Sequence, residues 1–229
     1  MPRAVVKISG KHIDPAKPGL VEAYARVLRG LAAEGLLAAV VVGGGGVARS
    51  YIEAARAAGL SNRGLLDMLG IEAARLNARL LAYLLQPLAH PEPPRSLWEA
   101  VERASTGRLV VAGGFQPGQS TAAVAALLAE ALGAELLVLA TTVEGVYTSD
   151  PRRDPSARLI PRLSYRELLR VMEQSVEPGR YELLDPLAVS ILERSGIPTR
   201  VVDGSDPGNV ERAVRGGEVG SLVAAGNSA

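Results

Sequence analysis

The 229-residue chain contains no cysteine, which excludes both a disulfide framework and a zinc–thiolate site. Histidine is nearly as scarce. With only His12 and His90, a histidine-rich metal site is excluded as well. Neither sign of charge dominates: 25 basic against 24 acidic side chains leave a formal net charge of +1, so there is no global basic field for nucleic acid or a membrane surface. Long apolar runs are missing too. The longest nearly apolar stretch, Leu36 to Ala48, spans thirteen residues with four glycines, whereas a transmembrane helix needs about 18 or more. The start, MPRAVVKISGKHID, is charged at Arg3, Lys7 and Lys11 and lacks an apolar core of signal-peptide length. These absences describe a soluble, cytoplasmic protein.

Lysine is the remaining scarcity. Of the 25 basic residues only Lys7, Lys11 and Lys17 are lysines, all within the first seventeen positions, and the other 22 are arginine. Genomic composition or thermal adaptation produces such a bias. Two of the surviving lysines, Lys7 and Lys11, flank Gly10.

A composition of 48% hydrophobic and 21% charged residues is that of an ordinary globular chain long enough to bury a sizeable core. Apolar runs predict strands at Ala4–Ser9, Ala38–Val42, Arg108–Ala112, Glu135–Ala140 and Thr199–Val202, with Ser221–Ala224 as a last edge strand. Between them, periodicity predicts helices at Gly19–Glu34, Val47–Ala58, Asn62–Leu85 (kinked at Gly70), Ser96–Ser105 and Ser120–Leu132. A capping box of Ser164 and Glu167 starts another helix, and Asp185-Pro186 and Asp206-Pro207 each read as an N-cap with proline at the first helical position. Residues 141–164, with two Asp-Pro steps, read as an irregular segment or hairpin over the sheet, and the last residues as a frayed end. Strand–glycine–helix cycles imply right-handed crossovers and an α/β fold with a mainly parallel sheet. No linker divides the chain. It reads as one domain whose style changes near residue 141, giving an N-lobe of about 1–140 and a C-lobe of about 141–225.

Three glycine-rich loops follow predicted strands: Ser9-Gly10-Lys11, Gly43–Gly46 and Gly113–Gly118. Any one is equally a tight turn. Three on the C-terminal edge of a parallel sheet point to a polyanionic ligand, or to two phosphorylated ligands side by side. The Walker A pattern is absent. Gly43, Gly45 and Ala48 satisfy GxGxxA, and Asp67 lies about 20 residues on, so a dinucleotide-dependent oxidoreductase is a rival reading. The lysines favour phosphate instead, since a compact ammonium suits bridging phosphates and persists here where arginine is the default. Lys11 and Arg49 each also read as a solvated surface cation.

The segments KISGK, VVVGGGGVARSYIEAA, DMLGIEAARLNARLL, GGFQPGQSTAAVAALLAE, TTVEGVYTSDPRRDP and YELLDPLA, in this order and spacing, resemble the archaeal uridylate kinases of the amino acid kinase superfamily over roughly residues 4–224. The resemblance implies a three-layer αβα sandwich, transfer of the ATP γ-phosphate to UMP with Mg²⁺, and a homohexamer. It implies Lys7 near the transferred phosphoryl group as the catalytic residue. ATP contacts are implied at Gly10, Lys11, Gly45, Arg49, Thr141, Tyr147 and Asp150. UMP contacts are implied at Gly44, Asp67, Phe115, Gln116, Pro117, Gly118, Gln119, Ser120 and Thr121, with no protein metal ligand. In this reading the N-lobe binds the acceptor and the C-lobe binds ATP. Where the family reads TNVDGVY this chain has Thr142 and Glu144, so specific polar contacts at those positions are open. Asp185 is either a simple N-cap or part of the site, and Tyr147 is either core or ligand contact. Another small-molecule kinase of this fold and a silent nucleotide-binding regulator stand as alternatives.

Overall fold

A computed structural model of the chain describes residues 3–151, 154–174 and 184–226. Arg152, Arg153 and Tyr181–Leu183 of the quoted segments, and the terminus expected to fray, lie outside the described residues. The mainly apolar runs become strands that pack on both faces: β1 (Ala4–Ile8), β2 (Leu37–Val42), β3 (Val110–Ala112) and β4 (Leu136–Thr141). The later strands are β5 (Arg162–Ser164), β6 (Thr199–Asp203) and β7 (Ser221–Ala224). The helices are α1 (Pro18–Ala33), α2 (Gly45–Ala57), α3 (Arg63–Leu84), α4 (Leu97–Ala104), α5 (Thr121–Ala131), α6 (Tyr165–Gln174), α7 (Pro186–Ser195) and α8 (Pro207–Val214).

These seven strands form one sheet in the order β3-β2-β1-β4-β6-β7-β5. β1 lies parallel to both β2 and β4, and β4 parallel to β6. Side chains alternate across β1, so Ala4, Val6 and Ile8 enter a core with Leu28 of α1, Leu81 of α3 and Val210 of α8. Val5 enters the opposite core, with Ala100 of α4, Leu128 of α5, Leu168 of α6 and Ile191 of α7. The expected three-layer αβα sandwich is the result. Among the described residues no helix is long and apolar enough to cross a membrane.

Two elements differ from the sequence reading. β7 is not the sheet edge: it runs antiparallel to β6 and is flanked on its other side by β5. β5 closes the sheet and went unseen because three residues, with Arg162 exposed, carry no hydrophobic period. Backbone pairing to β7 alone defines it. The hairpin expected over 141–164 is present as arms joined by Thr148 N–H to Arg158 C=O at 2.9 Å and Ile160 N–H to Val146 C=O at 2.8 Å. The capping box forms as read, with Glu167 N–H donating to the Ser164 hydroxyl at 3.2 Å and Ser164 N–H to the Glu167 carboxylate at 2.7 Å.

Candidate functional site

Because β1 and β2 are parallel neighbours, their following loops leave the sheet at the same edge and meet. A Cβ at Gly10 would lie 2.2 Å from the Gly43 carbonyl oxygen and 2.3 Å from the Gly45 nitrogen. Main chain touches main chain there, so only glycine fits. Gly45 has φ +63° and opens α2, two residues earlier than expected, which puts its amide in the first turn of that helix. The third loop lies against α3: a Cβ at Gly113 would sit 2.6 Å from the Arg75 nitrogen.

α3 also holds these loops through side chains. Asn77, buried, donates Nδ2–H to the Gly43 carbonyl at 2.9 Å. Arg75, also buried, donates to the carbonyls of Gly114 and Phe115, each at 3.0 Å. Neither was singled out from sequence. The available signal was an arginine and an asparagine set among alanines and leucines on the face of α3 that the sheet buries.

Lys7 sits near the C-terminal end of β1 and, by alternation, on the α5/α7 face of the sheet. Burial pushes its ammonium down to about 8, opposed by the nearby Asp185 carboxylate. Asp185 bears out its N-cap reading. It N-caps α7, accepting from Ala188 N–H at 3.0 Å, and it also accepts the Ser120 hydroxyl. Ser120 in turn N-caps α5 through the N–H groups of Ala122 and Ala123, each at 3.0 Å. Two helix N-termini and a half-buried lysine therefore converge on one corner, with the Asp185 carboxylate between them. Helix N-termini carry partial positive charge, so the corner is built for anions.

Beside it lies a cavity of about 300 Å³, at the lower end of the range for small-molecule sites. Ile52 of α2 and Asp67, Gly70, Ile71 and Ala74 of α3 form one wall; Gly44, Gly114 and Gly118 to Thr121 form the other. Asp67 reaches across it to accept Gly118 N–H at 3.0 Å. Six of the nine expected acceptor residues thus line this one cavity: Gly44, Asp67, Gly118, Gln119, Ser120 and Thr121. The other three do not. The Phe115 side chain packs into the core, and Gln116 and Pro117 are exposed outside the wall.

The expected donor residues fall elsewhere on the same sheet edge. Gly10 and Gly45 meet at the β1 and β2 ends, Lys11 and Arg49 are exposed beside them, and Thr141 ends β4. Tyr147 packs partly against the core and donates its hydroxyl to Glu144 at 3.0 Å, so the residue departing from the family pattern holds the tyrosine. Asp150 is partly buried in the same segment.

A model of the amino acid kinase family matches residues 2–203. The uridylate kinase of Hyperthermus butylicus is 67% identical over 219 residues, covering 96% of each chain. The chain belongs to the uridylate kinases of the amino acid kinase family. The uridylate kinase of Pyrobaculum calidifontis is 48% identical, covering 96% of this chain and 98% of its own. The crystal structure of uridylate kinase from Archaeoglobus fulgidus superimposes with a TM-score of 0.88 at 38% identity, covering 97% of this chain and all of that one. This kinase fold also disposes of the dinucleotide rival. In that fingerprint the acidic residue 20 positions on meets the ribose from the same nucleotide-binding βαβ unit; here Asp67 stands on α3 and faces the cavity.

Proposed function

We propose that this chain transfers the γ-phosphoryl group of ATP to UMP, giving UDP and ADP, as a cytoplasmic enzyme of pyrimidine nucleotide synthesis. The observation that carries the reading is the cavity between Asp67 and Gly118 to Thr121, which opens beside the anion-binding corner of Lys7 and the α5 and α7 N-termini. UMP occupies the cavity, with Asp67 accepting from the ribose hydroxyls and the Ser120–Thr121 end turned toward its phosphate. ATP lies along the C-terminal ends of β1, β2 and β4. Gly10, Lys11, Gly45 and Arg49 hold its phosphates; Thr141, Tyr147 and Asp150 surround the adenosine. The N-lobe thus holds the acceptor and the C-lobe the adenosine of the donor.

Phosphoryl transfer asks a protein for position and charge stabilisation more than for covalent chemistry. Lys7 neutralises charge at the β,γ-bridging oxygen while the amides around Gly10 and Gly45 hold nonbridging oxygens. The attacking UMP phosphate is already anionic, so no general base is needed. Among the described residues no group of three His, Asp or Glu side chains could hold a metal ion. An Mg²⁺ would be held through the ATP phosphates that Gly10, Lys11, Gly45 and Arg49 bind, since ammonium and backbone N–H groups offer a cation no lone pair. Bound there, Mg²⁺ neutralises phosphate charge.

A coupled assay comparing UMP, CMP and dUMP with Mg-ATP tests this reading, and UMP is expected to dominate; turnover of none of them would overturn it. Asp67→Asn is expected to raise KM for UMP roughly tenfold, the cost of about one charge-assisted hydrogen bond, with kcat within about twofold. A loss confined to kcat would remove Asp67 from ribose binding.

The homohexamer also stands as part of this proposal. Leu65, Leu76 and Tyr83 are each more than half exposed, at 53%, 57% and 53%, and helical geometry puts them on one stripe of α3. Such a stripe supports association of copies through α3. Leu76→Glu is expected to yield smaller particles by light scattering, and an unchanged mass would remove α3 from the interface.

A further inference from the structure

Phosphate chemistry as described above has no use for histidine, yet one of the two is buried at the functional edge of the sheet. His12 is 5% exposed and closes the turn after β1, its N–H donating to the Ser9 carbonyl at 2.9 Å. Its ring packs beside Tyr24 of α1, with centroids 6.3 Å apart. It also lies against Gly204, where a Cβ would come within 2.7 Å of the imidazole Cδ2. Nε2 stands 2.9 Å from the Thr141 carbonyl oxygen. A carbonyl only accepts, so Nε2 carries the proton.

That same oxygen receives Gly204 N–H at 2.8 Å, and the Gly204 carbonyl accepts the Tyr24 hydroxyl at 2.7 Å. The imidazole therefore links the turn after β1 to the end of β4, residues 129 positions apart in sequence, and packs against Gly204 just beyond β6. Burial pushes the His12 pKa down, with Lys17 and Lys7 acting the same way and Asp203 and the Thr141 bond opposing. The ring stays neutral at neutral pH, where it adds no further cation beside Lys7 and Lys17.

We propose that His12 is a positioning residue for the nucleoside triphosphate donor: its bond to Thr141 fixes the distance between the Gly10–Lys11 phosphate loop and the segment that begins at Thr141. A nucleoside triphosphate presents its phosphates and its base at opposite ends, so a site that grips both needs its two grips at a set separation. The β1–β4 ladder and Ser9 N–H to the Ala140 carbonyl at 2.9 Å set the register up to residue 9, and the His12 bond carries it past the Gly10–Lys11 loop. The acceptor cavity contains neither His12 nor Thr141, Tyr24 or Gly204, so the effect is confined to the donor. This inference rests on the donor-side reading of Thr141 and Gly10 given above.

Two variants test it. His12→Leu keeps apolar bulk and removes the donor group, while His12→Gln offers an amide N–H at a similar reach. His12→Leu is expected to raise KM for ATP about tenfold, the worth of one buried hydrogen bond, with KM for UMP within about twofold. His12→Gln is expected to recover most of that loss at a melting temperature matching His12→Leu. If His12→Leu lowers the melting temperature but leaves both KM values unchanged, His12 is structural only and the inference fails while the donor-side reading stands. If KM for UMP rises and KM for ATP does not, the ends of β1 and β4 serve the acceptor, and both fail together.

Discussion

Lys7→Ala is expected to lower kcat on the order of a hundred- to a thousandfold, the usual cost of removing one preorganised charge from a transition state. KM for UMP is expected to move only a few fold, because the acceptor cavity is built from α2, α3 and the loop before α5, none of which carries Lys7. An unchanged kcat would remove Lys7 from the mechanism. The wild-type pH profile offers a second measurement. Burial brings the free-enzyme ammonium down to about 8, and kcat/KM reports free-enzyme ionisations. Thus kcat/KM for ATP should fall as pH rises through about 8. Lys7→Arg, whose guanidinium does not titrate there, should abolish that break even at a reduced rate.

Stability carries the opposite sign. The Lys7 pKa falls from 10.5 in the unfolded chain to about 8 in the fold, so its charge opposes folding below pH 8. Between these values the unfolded chain binds more protons, and stability rises with pH. Lys7→Met should therefore melt higher than wild type at pH 7, with the gap closing toward pH 10.5. The chain keeps a destabilising charge where the proposed reaction would use it, the pattern expected of a functional group.

Gly10→Ala is expected to have the second large effect. Its Cβ would overlap the Gly43 oxygen at 2.2 Å and the Gly45 nitrogen at 2.3 Å. Both are main-chain atoms, so no rotamer change relieves the clash and the two glycine loops must separate. Overpacking of this kind costs about 1–3 kcal/mol, or roughly 3–10 °C in melting temperature for a chain of this size. Separating the loops by an ångström should also cost about a hundredfold in kcat/KM for ATP. Gly46→Ala is the control. One residue after Gly45, it is exposed inside α2 and its Cβ would meet nothing within 4 Å. Alanine there should keep activity and melt slightly higher through helix propensity. Equal losses in both variants would mean that glycine content, not the Gly10–Gly43 approach, limits this site.

Much of the site was legible because its chemistry is local in sequence. Glycine loops after apolar runs are written in consecutive residues, and so are the Ser120 and Asp185 caps. Asp67 could be singled out by its spacing, but only the packing of α3 across from Gly118 turns a surface acid into one wall of a cavity. Phe115 shows the converse. It stands within the expected acceptor loop, yet its side chain belongs to the core, since a motif does not say which way each side chain faces. Arg75 and Asn77 escaped notice because their partners are backbone carbonyls 34 to 40 residues away.

By itself, the sequence determined the α/β layering, the position of every long helix and strand and, through a resemblance, the family. The layering and element positions follow from periodicity and turn chemistry, both short-range properties, and the family from the resemblance of the ordered motifs KISGK to YELLDPLA. The tertiary structure alone decided which strand closes the sheet, that Gly10 and Gly45 share one main-chain contact, and that Asp185 caps α7 while accepting the Ser120 hydroxyl. It also decided that the His12 ring, after β1, bonds the Thr141 carbonyl at the end of β4. Those facts depend on which residues the parallel sheet brings to a common edge, and strand order is set by long-range pairing that no local pattern encodes.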